Sequence, residues 1–261
     1  AVLLDDALAV ELGATIHGAV TDVQVHADGY KKSISSPGIG NYITFAKAVA
    51  RAMRDIGEEP VRRRSFVQAH GTGTPQNRTS ESQILSRIAG AFGIEDWPVA
   101  AIKCFVGHTM AAAGGDQLAS TLGVFERGIL PGIATIDEVA ADVEREHLRI
   151  SPQPLQRSPM EWDAAFLNAK GFGGNNATAT IASPGIAMKW LEQRHGRGAL
   201  TTWQQRNEAV VEQADAWDRA LTAGNAEIVY RFDHEVRGEE HVRIVDGELR
   251  IEGYPPIPLL D

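Results

Sequence analysis

Apolar residues recur along residues 1–183 with two alternating spacings. Short apolar runs, some with an apolar residue at every second position, predict strands at residues 1–6, 16–27, 65–69, 99–103, 164–169 and 178–182. Helices are predicted at residues 41–56, 79–92 and 108–127. Strands that alternate with helices are typical of a layered α/β fold.

The pattern changes near residue 185. Polar helices are predicted at residues 188–195 and 201–223. Strands are predicted at residues 227–232 and 242–251, the second with a hairpin turn at Asp246-Gly247. We therefore expect residues 185–261 to form an appended α+β tail of helices and a hairpin.

Composition narrows the class of protein. The 261 residues are 43% hydrophobic and 23% charged, which suits a packed core. The formal net charge of −9 argues against a general nucleic-acid partner, since a phosphate backbone needs a basic surface. The sequence shows no apolar stretch of the roughly 20 residues that a membrane helix needs. We expect a cytoplasmic location and no membrane span.

Cys104 is the single cysteine of the sequence. One cysteine excludes an intrachain disulfide and a cysteine-based zinc site, and we expect neither a metal nor a cofactor. The sequence begins at Ala1, without methionine, inside an apolar run. Because a natural start rarely falls within a strand, we expect a segment upstream of it.

Three motifs follow one another along the chain: QAHGTGTP at residues 68–75, AIKCFVGHTMAAAGG at residues 101–115 and NAKGFGGNNA at residues 168–177. Each alone is a weak signal. Together, in this order and at these separations, they resemble the β-ketoacyl synthase family over residues 1–183. Residues 65–82 and 97–108, together with the tail that starts around Trp190, are most similar to the branch that makes acetoacetyl-acyl-carrier protein.

The resemblance implies a thiolase-like layered α/β fold in which each half carries a mixed five-stranded sheet. Residues 1–29 would be the last strands of the N-terminal half, and residues 30–184 the C-terminal half. The small residues at positions 111–115 fit a helix buried between close-packed layers, with His108 near its start.

Two histidines carry the implied chemistry. In the family, a malonyl thioester loses carbon dioxide and the resulting enolate attacks an acyl thioester. The resemblance assigns His70 and His108 as the imidazole donors that stabilise the charge on the malonyl thioester oxygen. The alternative is that each histidine is a satisfied loop or core residue.

A charge network is implied behind these histidines. The resemblance places Lys103 in support of His108, with Glu81 as a candidate partner; the alternative is an ion pair that only stabilises the fold. Arg78 and Gln117 depart from the family, where many members carry aspartate and glutamate. Asp116 is adjacent to Gln117 and could substitute in part.

Two loops are implied to bind substrate. Thr72 and Thr74 would bond the amides of a phosphopantetheine arm, unless they serve only the turn. Phe172, between Gly171 and Gly173, would gate the acyl pocket, and its backbone N–H would help to form an oxyanion hole. The alternative for Phe172 is a buried core aromatic.

The family nucleophile is a cysteine in a separate upstream motif, which this sequence lacks. Cys104 follows Lys103 and is predicted to be a small buried residue rather than the nucleophile. The predicted function is therefore β-ketoacyl-acyl-carrier-protein synthase in fatty acid biosynthesis, with this chain lacking the cysteine. The alternative is a non-catalytic scaffold or carrier-binding subunit; degradative thiolases lack the HGTGT loop.

The partners implied are acyl carrier protein, acyl-CoA as a further donor, an upstream cysteine-bearing half and a second copy in a homodimer. The basic residues 62–64 and the pair Lys31-Lys32 could attract an acidic carrier protein. The alternative is that both are solvated surface charges.

Overall fold

The computed structural model describes residues 2–29, 38–225, 230–234 and 236–259, and the chain divides into two compact units, Ala1–Val211 and Glu212–Asp261. The helices are α1 Asp6–Leu12, α2 Ile39–Asp55, α3 Glu58–Arg63, α4 Pro75–Phe92, α5 Lys103–Val106, α6 Ala113–Arg127 and α7 Pro184–Thr222, the last interrupted at Gly196. Single 3-10 turns lie at Met110–Ala112, Pro159–Glu161, Phe172–Gly174 and Glu239–His241. The strands are β1 Ala19–Ala27, β2 Ser65–Gln68, β3 Trp97–Ala100, β4 Ile129–Leu130, β5 Leu148–Ile150, β6 Leu155–Gln156, β7 Ala164–Gly171, β8 Asn175–Ala182, β9 Val242–Val245, β10 Glu248–Ile251 and β11 Ile257–Pro258.

Six strands of the larger unit form one mixed sheet in the order β1-β8-β7-β2-β3-β5. β7, β2, β3 and β5 run parallel to one another, while β1 and β7 both pair antiparallel with β8. The mixed α/β sheet predicted from the sequence is confirmed, with six strands rather than five. β1 is the additional strand, because it pairs with β8 from Ala19 opposite Ala182 to Ala27 opposite Asn175. Residues 19–27 therefore extend this sheet, whereas the sequence assigned them to the N-terminal half; the boundaries at 29/30 and 184/185 stay predictions.

Apolar side chains cover both faces of the sheet, because side chains alternate along each strand. On one face, residues of α2 and α4 pack around the rings of Phe45, Trp97 and Phe166, whose centroids lie 5.6 to 5.8 Å apart. On the other face, α6 packs over Phe66 and Trp162, whose rings meet edge to face at 5.1 Å. The central strands of the sheet are thus a buried layer between helices, while the edge strand β1 is partly exposed.

The strand predicted at residues 1–6 is wrong for the described residues 2–6. The backbone N–H of Leu8 donates to Asp5 Oδ1 at 2.9 Å, which caps α1, and Gly13 ends the helix in the left-handed region at φ +67°. Val2, Leu3 and Leu4 lead into the helix and are exposed. The N-cap at Asp5 therefore starts a helix directly after the apolar residues that had predicted a strand.

The segment around the second histidine also differs from the prediction. β3 ends at Ala100 and α5 begins at Lys103, so the strand predicted at residues 99–103 is shorter. α6 begins at Ala113 rather than at position 108, and His108 lies in the loop before it. Residues 111, 112, 114 and 115 are exposed rather than buried, because no described element packs over them.

The smaller unit contains a three-stranded sheet in the order β11-β10-β9. β9 and β10 form the predicted hairpin, with Asp246 and Gly247 at φ +53° and +76°. Residues 230–232 are not in a strand, and the rest of the strand predicted at 227–232, like Lys31-Lys32, lies outside the described residues. In the described ranges, no helix is both long and apolar enough to cross a membrane.

Candidate active site

His70 lies just beyond the end of β2, in a loop whose shape depends on glycine. Gly71 and Gly73 have φ of +55° and +70°, in the region that other residues rarely adopt. A Cβ on Gly71 would lie 2.8 Å from the Cβ of Ala101 at the end of β3. The loop therefore turns closely against β3, and the His70 side chain is buried, with 3% of its surface exposed.

The structure brings His70 and His108 together. Their ring centroids lie 5.6 Å apart and the ring planes are nearly perpendicular, at 81°. His70 is buried, whereas His108 is exposed. The two imidazoles, which are 38 positions apart in the sequence, can thus approach one small group from two sides.

Backbone contacts fix which nitrogen of each ring carries the proton. The Lys170 N–H donates to His70 Nδ1 at 3.3 Å, and the Met110 N–H donates to His108 Nδ1 at 3.1 Å. Because each Nδ1 accepts, a neutral ring carries its proton on Nε2. His70 Nε2 is buried and has no hydrogen-bond partner within the described part of the chain. It is therefore a donor available to a ligand.

His70 is held neutral by its surroundings. Burial lowers its pKa to about 4, and the positive charges of Lys103 and Lys170 add to the effect, while Glu81 opposes it. The imidazole is therefore uncharged near neutral pH and keeps a single ring proton. A neutral donor is what the stabilisation of an enolate oxygen requires.

Glu81 is a buried carboxylate that holds the His70 loop. Its Oε1 accepts from the His70 N–H at 2.7 Å and from Asn168 Nδ2 at 2.6 Å. Its Oε2 accepts from the Gly71 N–H and from Asn77 Nδ2, both at 2.9 Å. Burial raises the pKa of Glu81, but these hydrogen bonds and the nearby cations outweigh it, so the pKa lies below its ordinary value.

Lys103 contacts the backbone of the first histidine rather than the carboxylate predicted as its partner. Its Nζ donates to the His70 carbonyl oxygen at 2.6 Å. Burial lowers the pKa of Lys103, opposed by the charges of Glu81 and Asp116. Both side chains therefore bond the His70 backbone: Glu81 accepts from its N–H, and Lys103 donates to its C=O.

Asp116 takes part in positioning the second histidine. Its Oδ2 accepts a hydrogen bond from Thr109 Oγ1, next to His108. Its charge also acts on Lys103 and raises the pKa of that lysine. Arg78, the other departure from the family, faces away: it pairs with Asp142 through two contacts of 2.9 Å.

Buried amides behind the site were missed by the sequence reasoning. Asn168 Nδ2 bonds Glu81, and Asn168 exchanges amide hydrogen bonds with Asn41 of α2 at 2.7 and 3.3 Å. Gln117 Nε2 donates to three backbone carbonyls. Asn168 lies inside the third motif and directly follows the apolar run of residues 164–167 in β7, and that polar position in a predicted buried strand was the available signal.

The predicted substrate residues are on the surface. Thr72 is half-buried and Thr74 is exposed, with their hydroxyls 3.3 Å apart. Phe172 is 74% exposed, so it is not a core aromatic, and Gly173 beside it has φ of +77°. Gly171 ends β7 in an extended conformation at φ −112°. Phe172 can thus turn about flexible flanking residues without disturbing the core.

Other predicted groups have different surroundings. Arg62, Arg63 and Arg64 pair with Glu58, Glu59 and Asp163, which weakens the case that they attract a carrier protein. Cys104 is half-buried, and its thiol lies 3.9 Å from the Gly132 carbonyl oxygen. Across the residues that the structure describes, no group of three or more His, Cys, Asp or Glu could hold a metal ion.

Comparison with known proteins identifies the family that the chain resembles. The model of the β-ketoacyl synthase C-terminal domain matches residues 17–137. The chain is 50% identical over 254 residues to the β-ketoacyl-acyl-carrier-protein synthase FabY of Pseudomonas aeruginosa, an alignment that covers 97% of this chain and 40% of that protein. It is 28% identical over 177 residues to 3-oxoacyl-acyl-carrier-protein synthase 2 of Synechocystis sp., covering 67% of this chain and 39% of the relative.

The structure superimposes on the crystal structure of the ketosynthase FabY from P. aeruginosa with a TM-score of 0.85 and 47% identity. That match covers 99% of this chain and 40% of the FabY chain. The chain thus spans about 40% of the length of FabY.

Proposed function

This chain belongs to the β-ketoacyl synthase family and has its thiolase-like fold, and we propose that it supplies the histidine half of a decarboxylative condensing site. One observation carries the proposal. His70 and His108 lie 5.6 Å apart, and both have Nδ1 occupied as an acceptor, so both present Nε2–H donors. Two such donors suit one thioester oxygen.

The proposed reaction begins on a malonyl thioester. The bond between its C2 and its carboxylate breaks, carbon dioxide leaves, and the electron pair forms an enolate. Charge builds on the thioester oxygen, where the Nε2–H groups of His70 and His108 donate hydrogen bonds. Losing one such donor typically slows a reaction by about a hundredfold to a thousandfold.

The enolate carbon then attacks the carbonyl of an acyl group held as a cysteine thioester. The carbon–sulfur bond breaks and the thiolate leaves. Cys104 lies beside the Gly132 carbonyl and on the second histidine motif, so we assign the nucleophile to a cysteine outside these 261 residues. Thr72 and Thr74 would bond the phosphopantetheine arm, and Phe172 would gate the acyl pocket.

The apolar surface supports an upstream half. Val20, Val23 and Val25 of the edge strand β1 are exposed, as are Leu3 and Leu4 before α1. Contiguous apolar side chains on a sheet edge favour a covering partner. We propose that the cysteine-bearing half covers them; the homodimer, the acyl-CoA donor and the cytoplasmic location stay predictions.

The substrate class follows from the family. The name of the 50% identical relative gives a β-ketoacyl-acyl-carrier protein, which is an acyl-carrier-protein thioester, as its product. We propose that this chain likewise acts on acyl-carrier-protein thioesters in fatty acid biosynthesis. A scaffold without catalysis is the second candidate. It is favoured only by the fact that Cys104, the single cysteine of these 261 residues, does not lie in a nucleophile motif.

Expression of residues 1–261 with and without a cysteine-bearing upstream segment separates these candidates. Transfer of a radiolabelled acyl group onto protein and condensation with malonyl-carrier protein are measured in both preparations. We expect both activities only when the segment is present. Condensation by residues 1–261 alone, with label on Cys104, would contradict the proposal, and a complete assembly that never condenses would favour the scaffold.

A further inference from the structure

Gln117 lies in the first turns of α6 and reaches two parallel strands, β2 and β7, where their pairing stops. Its side chain is buried, with 1% of its surface exposed. Its Nε2 lies 3.1 Å from the Gln68 carbonyl oxygen, 2.8 Å from that of Ala69 and 2.9 Å from that of Asn168. Gln68 and Ala69 end β2, and Asn168 is in β7, so the amide joins the strands where their ladder stops.

These carbonyls stand next to the groups that set up the first histidine. Ala69 immediately precedes His70, and two residues after Asn168 the Lys170 N–H donates to His70 Nδ1. The helix that carries Gln117 follows the loop of His108. One side chain therefore links the strand bearing His70, the strand that fixes its tautomer and the helix that follows His108.

The chemistry of this position demands a donor. Three carbonyl oxygens face Nε2, and the amide provides two N–H groups, so at least one hydrogen is shared. An ionised carboxylate has only acceptor oxygens and would face three more. A carboxyl group here could fit only in its protonated form, with one O–H to donate.

We propose that Gln117 is a positioning residue whose amide donates to β2 and β7 where their pairing stops and thereby sets the spacing and tautomer of His70 relative to His108. The inference rests on the proposed function for its effect on catalysis. Its structural part concerns this chain alone and can be tested separately.

The first test compares Gln117→Glu, Gln117→Met and Thr121→Val with the wild-type chain. Met fills similar volume without donors; Thr121 is a buried residue one turn further along α6 whose Oγ1 has no hydrogen-bond partner in the described ranges, so it is a matched control. Thermal unfolding is followed between about pH 5 and pH 8, and each variant is compared with wild type at the same pH, because the pH dependence that His70 contributes below its ordinary pKa is present in the wild-type chain as well.

Glu at position 117 would prefer to be protonated in the folded state, so its folded pKa would lie above its unfolded value. The stability of the Gln117→Glu variant is therefore fully present below the pKa that this glutamate has in the unfolded chain. It is lost as pH rises towards the pKa of the glutamate in the folded chain. Asp116, Lys103 and Lys170 are the other charged groups near this site, and they are unchanged in all variants. We expect the unfolding temperature of Gln117→Glu to fall steadily against wild type as pH rises, and that of Gln117→Met to stay offset by a constant amount.

The second test reads the His70 ring directly. Nitrogen-15 spectra of the imidazole distinguish the Nε2–H tautomer from the Nδ1–H tautomer. We expect a single Nε2–H tautomer in wild type and in Thr121→Val, and a mixture of tautomers in Gln117→Met. An unchanged single tautomer in Gln117→Met would overturn the inference, whatever its activity.

The third test measures malonyl decarboxylation in the complete enzyme. We expect Gln117→Met to be slower by about tenfold to a hundredfold, as for a small misplacement of a catalytic group, and Thr121→Val to be near wild type. Gln117→Glu should recover activity as the pH is lowered to about 5.5. A Gln117→Glu enzyme that matches wild type at every pH would overturn the inference. A wild-type enzyme that does not decarboxylate the malonyl thioester would instead refute the proposed function. In that case the unfolding and nitrogen-15 measurements still decide whether Gln117 positions His70.

Discussion

The two histidines of the site are held in very different ways. His70 is buried, and its N–H, C=O and Nδ1 are each bonded to a separate partner: Glu81, Lys103 and the Lys170 backbone. His108 is exposed, and its ring accepts from Met110 two residues further along the chain. His70 is therefore preorganised by this chain, whereas the position of His108 depends on a short loop of residues 107–112.

The surface near His108 indicates where a partner would complete the site. Exposed apolar side chains lie in and just before the His108 loop, at Phe105, Val106 and Met110, and small exposed residues follow at positions 111, 112, 114 and 115. Contiguous apolar surface of this kind marks an interaction site. We therefore expect a covering partner to order the loop of His108 and to leave His70 unchanged.

The largest effect should follow from the support of His70. Glu81→Ala leaves the His70 and Gly71 N–H groups and the amides of Asn77 and Asn168 without their acceptor. We expect the free energy of unfolding to fall by about 3–5 kcal/mol, as when one partner of a buried charged network is removed. Denaturant unfolding of the two proteins measures the change, and a loss below about 1 kcal/mol would show that the network is not needed.

The second-largest effect should come from a fall in pH, which lowers the free energy of unfolding through His70. The pKa of His70 is lowered to about 4, so the folded state prefers the neutral ring and stability is lost as pH falls from the ordinary histidine pKa towards 4. The loss amounts to roughly 3 kcal/mol. Unfolding free energies measured from pH 7 to pH 4 should show this slope in wild type and lose it in His70→Gln; equal slopes would contradict the pKa assigned to His70.

The amide behind Glu81 should have a smaller effect. Asn168→Ala removes one of four hydrogen bonds to the carboxylate and the exchange with Asn41. We expect a loss of about 1–3 kcal/mol, the cost of leaving buried polar groups unsatisfied. Asn41→Ala is the matched variant: it breaks the exchange but keeps the bond to Glu81, and it should therefore cost less. A larger loss in Asn41→Ala would reverse this order.

The exposed region should respond in substrate preference rather than in stability. Phe172 is 74% exposed, so Phe172→Ala should change the free energy of unfolding by less than about 0.5 kcal/mol. If Phe172 gates the acyl pocket, the acyl chain-length profile of the complete enzyme should nevertheless change. An unaltered profile would leave Phe172 as a surface residue without this role.

The sequence predicted the layers of the fold better than its edges. Helices α2 and α4 and strands β2, β7 and β8 follow the predicted positions, because their apolar spacing reflects burial on the sheet. The apolar run at residues 2–4 instead precedes an N-cap at Asp5, and local pattern alone could not show that β1 pairs with β8, about 150 positions away. Such pairing is set by tertiary contacts.

The candidate site shows the same division. The motifs identified both histidines, Lys103 and Glu81, and the structure brings them together. The motifs could not show that Lys103 donates to a carbonyl while Glu81 accepts from backbone N–H groups. A direct Lys103–Glu81 ion pair would need the same two residues, so the sequence does not distinguish the two arrangements. The role of Gln117 as a donor required the positions of three carbonyl oxygens from two strands.

The central claim is that two neutral imidazoles donate from Nε2 to one oxygen, and the rate of malonyl thioester decarboxylation by the complete enzyme tests it most directly. We expect His70→Ala and His108→Ala each to slow it by about a hundredfold to a thousandfold while acyl loading is less affected. His147→Ala, which removes a histidine that pairs with Glu95 at the surface, should match wild type. Normal decarboxylation by either His70→Ala or His108→Ala would contradict the account.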